Sequence, residues 1–234
     1  FSSPFSVDSV IALQKLKCPV YKVASLEITN FPLLKEIAKT KKPVIISTGG
    51  ATLDEIKKAV KIFKNNRNIA LLKCTVNYPA NLKDSNLLTI LDLKQRFPNC
   101  EIGFSDHTIG DVASITAVAL GASIIEKHFV LNKKVNSIDN FFSSTNRELS
   151  QLIKNCKKTI LCRGNNFYGP TINEKSSIRY RRSIYVSKKI KKGEKITKNN
   201  IKIVRPSYGL NLNYYDKIIG STSKKNLFPG DKIF

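Results

Sequence analysis

Pro43-Val44-Ile45-Ile46-Ser47-Thr48-Gly49-Gly50-Ala51-Thr52-Leu53-Asp54-Glu55 is the stretch on which the fold turns. Its β-branched run reads as a short strand over Pro43–Thr48, closed by a glycine pair. Thr52-Leu53-Asp54-Glu55 then has the spacing of a capping box, in which a Thr side chain accepts from the backbone three residues on. A helix is therefore predicted over Leu53–Asn65. Strand, tight turn and helix make one βα unit.

The same alternation recurs on both sides. Further strands are predicted at Tyr21–Glu27, Ile69–Thr75, Glu101–Ser105 and Ser123–Phe129, with helices at Leu33–Thr40, Asn86–Arg96, Val112–Leu120 and Asn146–Leu161. Repeated βα units imply a parallel sheet. Five units take about 28 residues each, and eight would take about 224, near the ~250 of a (β/α)8 barrel. About three units are missing by that count, and Phe1-Ser2-Ser3-Pro4-Phe5 reads like the inside of a domain, so a fragment is expected. An open doubly wound sheet competes, since five parallel strands would suffice for it.

Breakers crowd the stretch after Cys162: Gly164, Asn165, Asn166, Gly169, Pro170 and Asn173 mark residues 163–178 as a linker between a 1–162 domain and a 179–234 module. The module shows short strand-like runs, Ser183–Val186 and Lys202–Val204, with glycine turns at Gly193 and Gly230.

The 234 residues, 41% hydrophobic, support one sizeable core and exclude a peptide hormone or a disordered tail. Five cysteines, an odd number with no CxxC pair, argue against a disulfide framework and for a reducing cytoplasm. The longest apolar stretch, around Ile115–Ile125, is broken by Thr116, Gly121 and Ser123 and falls short of the roughly 20 residues of a spanning helix. A net charge of +23 admits an anionic partner. A basic binding protein for nucleic acid or an anionic glycan is the alternative of another class. Around Arg179, Arg181 and Arg182, however, only Tyr180 and Tyr185 could stack on bases, so the charge reads as a solvated face and no nucleic acid is expected.

Candidate chemistry gathers at strand ends. The two histidines, His107 and His128, each sit at the C-terminal end of a predicted strand, where parallel barrels build active sites. Two neutral imidazoles on neighbouring strands could share a divalent metal; each alone would be an ordinary polar rim residue. Lys22, Ser25 and Glu27 are read along one face of the first strand. A buried lysine there would want an anion, and a phosphate at 4 Å is worth about 4 kcal/mol at an effective dielectric near 20. Ser47-Thr48-Gly49-Gly50 offers hydroxyls and close backbone approach, although it is also an ordinary strand-to-helix turn. Ser105 adds another hydroxyl.

Together with Phe1–Phe5, Cys74-Thr75, Tyr78-Pro79 and Ala119-Leu120-Gly121-Ala122, these motifs resemble the sialic acid synthase family across nearly the whole chain. The tail, with Arg182-Ser183-Ile184-Tyr185 and Arg205-Pro206-Ser207-Tyr208-Gly209-Leu210, resembles that family's antifreeze-like (SAF) domain. The resemblance implies a TIM barrel, here lacking its first strands, with Phe1–Pro4 ending the third, followed by the small β-rich domain. It implies a domain-swapped homodimer and condensation of phosphoenolpyruvate with an N-acetylated amino sugar and water, releasing phosphate. His107 and His128 match the metal ligands, for manganese first and magnesium or cobalt as alternatives. Lys22, Ser25, Ser47 and Ser105 match phosphoenolpyruvate contacts, and Ser3 stands where another hydroxyl serves. Tyr78 and Asp139 match the acceptor and metal-water region, Glu27 lies near the reacting carbons, and Arg205 reaches the partner subunit's sugar site. Glu27-Ile28-Thr29-Asn30, Leu72-Lys73-Cys74-Thr75 and Phe142-Ser143 look more like pseudaminic than neuraminic or legionaminic acid synthases.

Overall fold

The computed structural model describes residues 1–66, 68–134 and 137–233, so the final position of the 179–234 module lies outside the described residues. The chain divides into two compact units, Phe1–Gly164 and Asn165–Phe234. The first runs α1 (Val7–Lys15), β1 (Tyr21–Val23), α2 (Phe31–Lys39), β2 (Val44–Ser47), α3 (Leu53–Ile62), β3 (Ile69–Cys74), α4 (Thr89–Arg96), β4 (Glu101–Asp106), α5 (Val112–Ala119), β5 (Ile124–Lys127) and α6 (Asn146–Arg163).

The five strands form one parallel sheet in sequence order. Ser2 adds a parallel bridge to Tyr21 at the β1 edge. Strand register sorts the side chains into two faces. Tyr21, Val23, Val44, Ile46, Ile69, Leu71, Ile102 and Phe104 share one cluster with Val10, Leu34, Ile37, Ala59, Leu93 and Ala117 of α1 to α5, so these helices cover a single face. Each such side chain, fully buried, contributes about 1.5–3 kcal/mol. A doubly wound sheet would carry helices on both faces and reverse its strand order at a switch point. The other face, with Lys22, Ser47, Leu72, Cys74, Ser105 and Glu126, belongs to a barrel interior.

Curvature confirms this. In a flat sheet, four spacings of about 4.8 Å would hold the edge strands roughly 19 Å apart. Yet Lys22 of β1 and Glu126 of β5 meet at 3.3 Å. The chain is a parallel half-barrel. Gly103 shows how tightly it is curled: a Cβ there would lie 2.5 Å from both Ile124 O and Leu72 Cδ2.

The first strand is shorter than predicted. Glu27 N–H bonds back to Ala24 O and Ile28 N–H to Ser25 O, which pulls Ser25–Glu27 off the ladder into a 3-10 turn. Lys22, Ser25 and Glu27 therefore do not share a strand face. Helix α1, unanticipated, starts at Ser6, whose side chain accepts from Ser9 N–H; its one buried residue, Val10, gives a weak apolar stripe. Helix α6 runs through Arg163, which donates to Val118 O, and ends at Gly164 with φ of 49°.

The capping box at Thr52 and Glu55 is formed, and Thr145 with Glu148 makes a second one at the start of α6. The Thr145 amide, and then Lys133 at 2.9 Å, hold the Glu148 carboxyl at about 2, below its ordinary 4.5. A depressed folded pKa means stability present above pH 4.5 and lost as pH falls toward 2. Glu148→Gln is expected to cost about 1 kcal/mol at pH 7, the worth of a helix cap. The difference in urea midpoint from the parent should narrow between pH 4.5 and 2; a constant difference would refute the assignment.

In the second unit, β6 (Ser183–Val186) and β7 (Ile201–Val204) pair antiparallel. Single bridges from Ile184 to Leu210, Tyr185 to Lys232 and Ile190 to Leu227 extend the pairing. Ile184, Val186, Ile190, Ile196, Ile201, Leu227 and Ile233 form its core. Gly209 lies flush against Ile184, whose carbonyl a Cβ would strike. A short helix α7 (Tyr215–Ile218) follows.

Candidate active site

The C-terminal ends of the strands place a row of polar side chains on the inner face. Lys22 is buried on β1, Ser47 on β2 and Ser105 on β4. Glu126 of β5 joins them: its Oε1 accepts from Ser105 Oγ at 2.7 Å and pairs with Lys22 Nζ at 3.3 Å. Ser47 Oγ is buried with no hydrogen-bond partner among the described residues. A buried hydroxyl left unmatched costs free energy, and a bound polar ligand would recover it. Ser25 reaches the mouth from its 3-10 turn, and its hydroxyl accepts from Gly49 N–H at 3.1 Å. The backbone approach that Gly49 permits is thus used by Ser25, whose Oγ would lie 2.9 Å from a Cβ there. Ser3, half-buried, follows the bridge at Ser2 along the edge of β1.

His107 and His128 are the first residues beyond β4 and β5. Their ring centroids lie 5.2 Å apart at 80°. Tyr78 stacks 4.2 Å from His107 and Phe142 sits 4.9 Å from His128, so aromatic rings wall both imidazoles. His107 Nδ1 is 2.8 Å from Thr75 O, which can only accept, so that nitrogen carries the proton. His128 Nδ1 is 3.4 Å from Asp139 Oδ2. Each ring has Nδ1 engaged by an oxygen and is left with Nε2, the usual arrangement of metal-binding histidines. Burial, then the neighbouring His107, lowers the His128 pKa and favours its neutral, ligating form. Burial alone would lower His107 too, but its hydrogen bonds to Cys74 and to Thr75 O outweigh it and raise it. Among the described residues no group of three or more His, Cys, Asp or Glu converges on one point. The chain itself thus offers a pair of imidazole donors, which suits a first-row divalent ion completing its shell with other ligands.

Two predicted residues lie on other segments. Glu27, in the 3-10 turn after β1, accepts from Asn30 Nδ2 at 2.8 Å, beside the cap of α2. Arg205 is exposed just past β7 in the second unit. Two residues absent from the predicted set stand inside the cluster. Glu126, on β5, lies two positions before His128, which immediately follows the strand, a spacing that puts both on one face. Cys74 has its sulfur 3.8 Å from His107 Nδ1. Burial would raise its thiol pKa, but hydrogen bonds from His107, Ser25 and Ser105 lower it.

A curled parallel sheet with a polar rim, two imidazoles at its mouth and a separate small β module define a barrel protein of the (β/α)8 class carrying an SAF domain. The NeuB family model matches residues 1–168 and the SAF domain model residues 181–233, and the chain belongs to the NeuB family. It is 42% identical to a pseudaminic acid synthase of Helicobacter pylori over 97% of this chain and 67% of that protein. It is 38% identical to an N,N'-diacetyllegionaminic acid synthase of Campylobacter jejuni over 96% of this chain and 69% of the relative. The crystal structure of N-acetylneuraminic acid (sialic acid) synthetase from Leptospira borgpetersenii superposes with a TM-score of 0.71 at 36% identity, covering 76% of this chain and 63% of that one. The chain spans about two thirds of the length of the curated relatives it matches. No helix among the described residues is long and apolar enough to cross a membrane.

Proposed function

We propose that the full-length protein is a cytoplasmic, phosphoenolpyruvate-dependent synthase that makes a nonulosonic acid, and that its product is pseudaminic acid. The observation carrying this reading is the placement of Lys22, the unmatched Ser47 hydroxyl and Glu126 on the same face and rim as the paired imidazoles.

The methylene carbon of phosphoenolpyruvate forms a bond to the aldehyde carbon of the amino sugar, leaving positive charge at its C2. Water adds at C2, and the C2–O bond to phosphate breaks, releasing phosphate and a 2-keto acid. Lys22 neutralises the phosphate, while Ser3, Ser25, Ser47 and Ser105 contact phosphoenolpyruvate through their hydroxyls. The carboxylates Glu126 and Glu27 stabilise the developing cation. Tyr78 and Asp139 flank the acceptor. His107 and His128 would hold a divalent ion, manganese foremost, which when bound supplies Lewis-acid polarisation of the aldehyde. Arg205 contributes to the sugar site of a domain-swapped homodimer.

Pseudaminic acid synthases of two organisms are 40–42% identical to the chain. That favours 2,4-diacetamido-2,4,6-trideoxy-altrose as acceptor over the sugars used for legionaminic or neuraminic acid. Phosphate release is expected only when phosphoenolpyruvate, amino sugar and divalent ion are all present, with product mass across a panel of acceptors naming the sugar. Release without an acceptor, or none with any of the three sugars, would overturn the reading.

A further inference from the structure

We propose that Asp106 and Lys127, buried on the face opposite the site, form a positioning device that sets His107 and His128 at the separation a shared cation needs. The inference rests on the metal reading above.

Register supplies the first argument. In the β4–β5 ladder Ser105 faces Glu126 and Asp106 faces Lys127, and the residue that follows each strand is a histidine. The last two rungs are tied on opposite faces: Ser105 to Glu126 inside at 2.7 Å, Asp106 to Lys127 outside at 3.0 Å. Both strands end there, and beyond them each histidine backbone is tied to another segment rather than to the other histidine: His107 O accepts from Ala80 N–H at 3.0 Å and His128 O from Ser144 N–H at 2.8 Å. The final rung is the last link of the ladder that ties the strand before one histidine to the strand before the other.

Burial and connectivity supply the second. The side chains of Lys127 and Asp106 are 3% and 0% exposed. Asp106 Oδ1 accepts from Thr108 N–H and Oγ1, both at 2.8 Å, folding the chain back immediately after His107. Its Oδ2 accepts from Ser114 Oγ of α5 at 2.5 Å. Lys127 Nζ donates to Thr108 O at 2.7 Å as well. The residues before and after His107 are thus both held by the residue before His128. An ion pair this deep is costly to desolvate and a poor source of stability compared with an apolar pair of like volume. Fixing a register is the best-attested use of such a pair.

The test is Mn2+ affinity of the full-length protein, titrated by electron paramagnetic resonance of the free ion, beside melting temperature in chelator. Lys127→Met and Asp106→Asn are expected to weaken Mn2+ binding by about 10–100-fold, as loss of a group orienting metal-bound histidines does. Ser114→Ala keeps both charges and removes one buried hydrogen bond, so it should fold, melt a few degrees below the parent and weaken Mn2+ by about fivefold. A merely structural pair would lower the melting temperature and leave the affinity of the folded protein unchanged. An affinity within about twofold of the parent in folded Lys127→Met or Asp106→Asn protein overturns the proposal; should neither fold, an unchanged affinity in Ser114→Ala does so. If the parent itself binds no Mn2+, the metal reading fails and takes this one with it. If His107→Ala abolishes binding while Lys127→Met retains it, this inference alone fails.

Discussion

Replacing His107 by alanine in the full-length protein is expected to abolish Mn2+ binding and to slow phosphate release by about 10³-fold, the rate equivalent of roughly 4 kcal/mol. His128→Ala should do the same, and the double variant little more, because either ring alone is a weak site. The geometry argues for coupling rather than two independent rim residues: the rings are 5.2 Å apart, and each Nδ1 is engaged by its own oxygen, from Thr75 and Asp139. Solvated rim histidines would gain nothing from being oriented so. Removing one loses a ligand and also leaves its oxygen acceptor without its partner. Isothermal titration with Mn2+ and a phosphate-release assay read the two effects separately. Undiminished turnover in both single variants would return the histidines to the rim. Additive losses in the double variant would mean that they act apart.

Much of this architecture was legible in residue order. The β-branched runs placed five strands because a parallel strand buried on at least one face tolerates little else, and Thr52 with Glu55 marked a helix start that is formed as read. Barrel and doubly wound sheet were not separable from periodicity, since both are chains of βα units. The helices on a single face and the meeting of Lys22 with Glu126 separate them, and neither is local information. Boundaries erred where hydrogen bonds to near neighbours compete with the ladder, as at Ser25–Glu27, or where the backbone is left-handed, as at Asn86 with φ of 45° inside a predicted helix. Glu126 stands beside a histidine motif in sequence, but nothing local says that a strand carboxylate will meet a lysine four strands away. Its alternation with His128 was the available signal. Asp106 and Lys127 each sit beside a histidine in sequence, but their pairing depends on register, which emerges only when two strands are laid side by side.

Lys22→Met should lower kcat/KM for phosphoenolpyruvate by about 10³-fold, because an ammonium about 4 Å from a phosphate contributes about 4 kcal/mol at an effective dielectric near 20. Lys22 is held against Glu126, its side chain 9% exposed and that of Glu126 34%. An arriving phosphate therefore competes with a carboxylate for the same charge. The substitution has two consequences that must be told apart. Glu126 loses its partner, which destabilises the fold by about 1–3 kcal/mol, less than the 3–5 of a fully buried pair because Glu126 is partly solvated. The site also loses its countercharge to the substrate. Glu126→Gln added to Lys22→Met removes the first problem and leaves the second, so the double variant should recover the parent's melting temperature while its affinity for phosphoenolpyruvate, read by isothermal titration because Glu126 itself bears on turnover, stays low. If that affinity recovers too, Lys22 serves only to neutralise Glu126, and the phosphate must be bound elsewhere on the rim. If the double variant melts no higher than Lys22→Met alone, the pair contributes nothing to folding, and its 3.3 Å contact is incidental to a lysine placed there for the ligand.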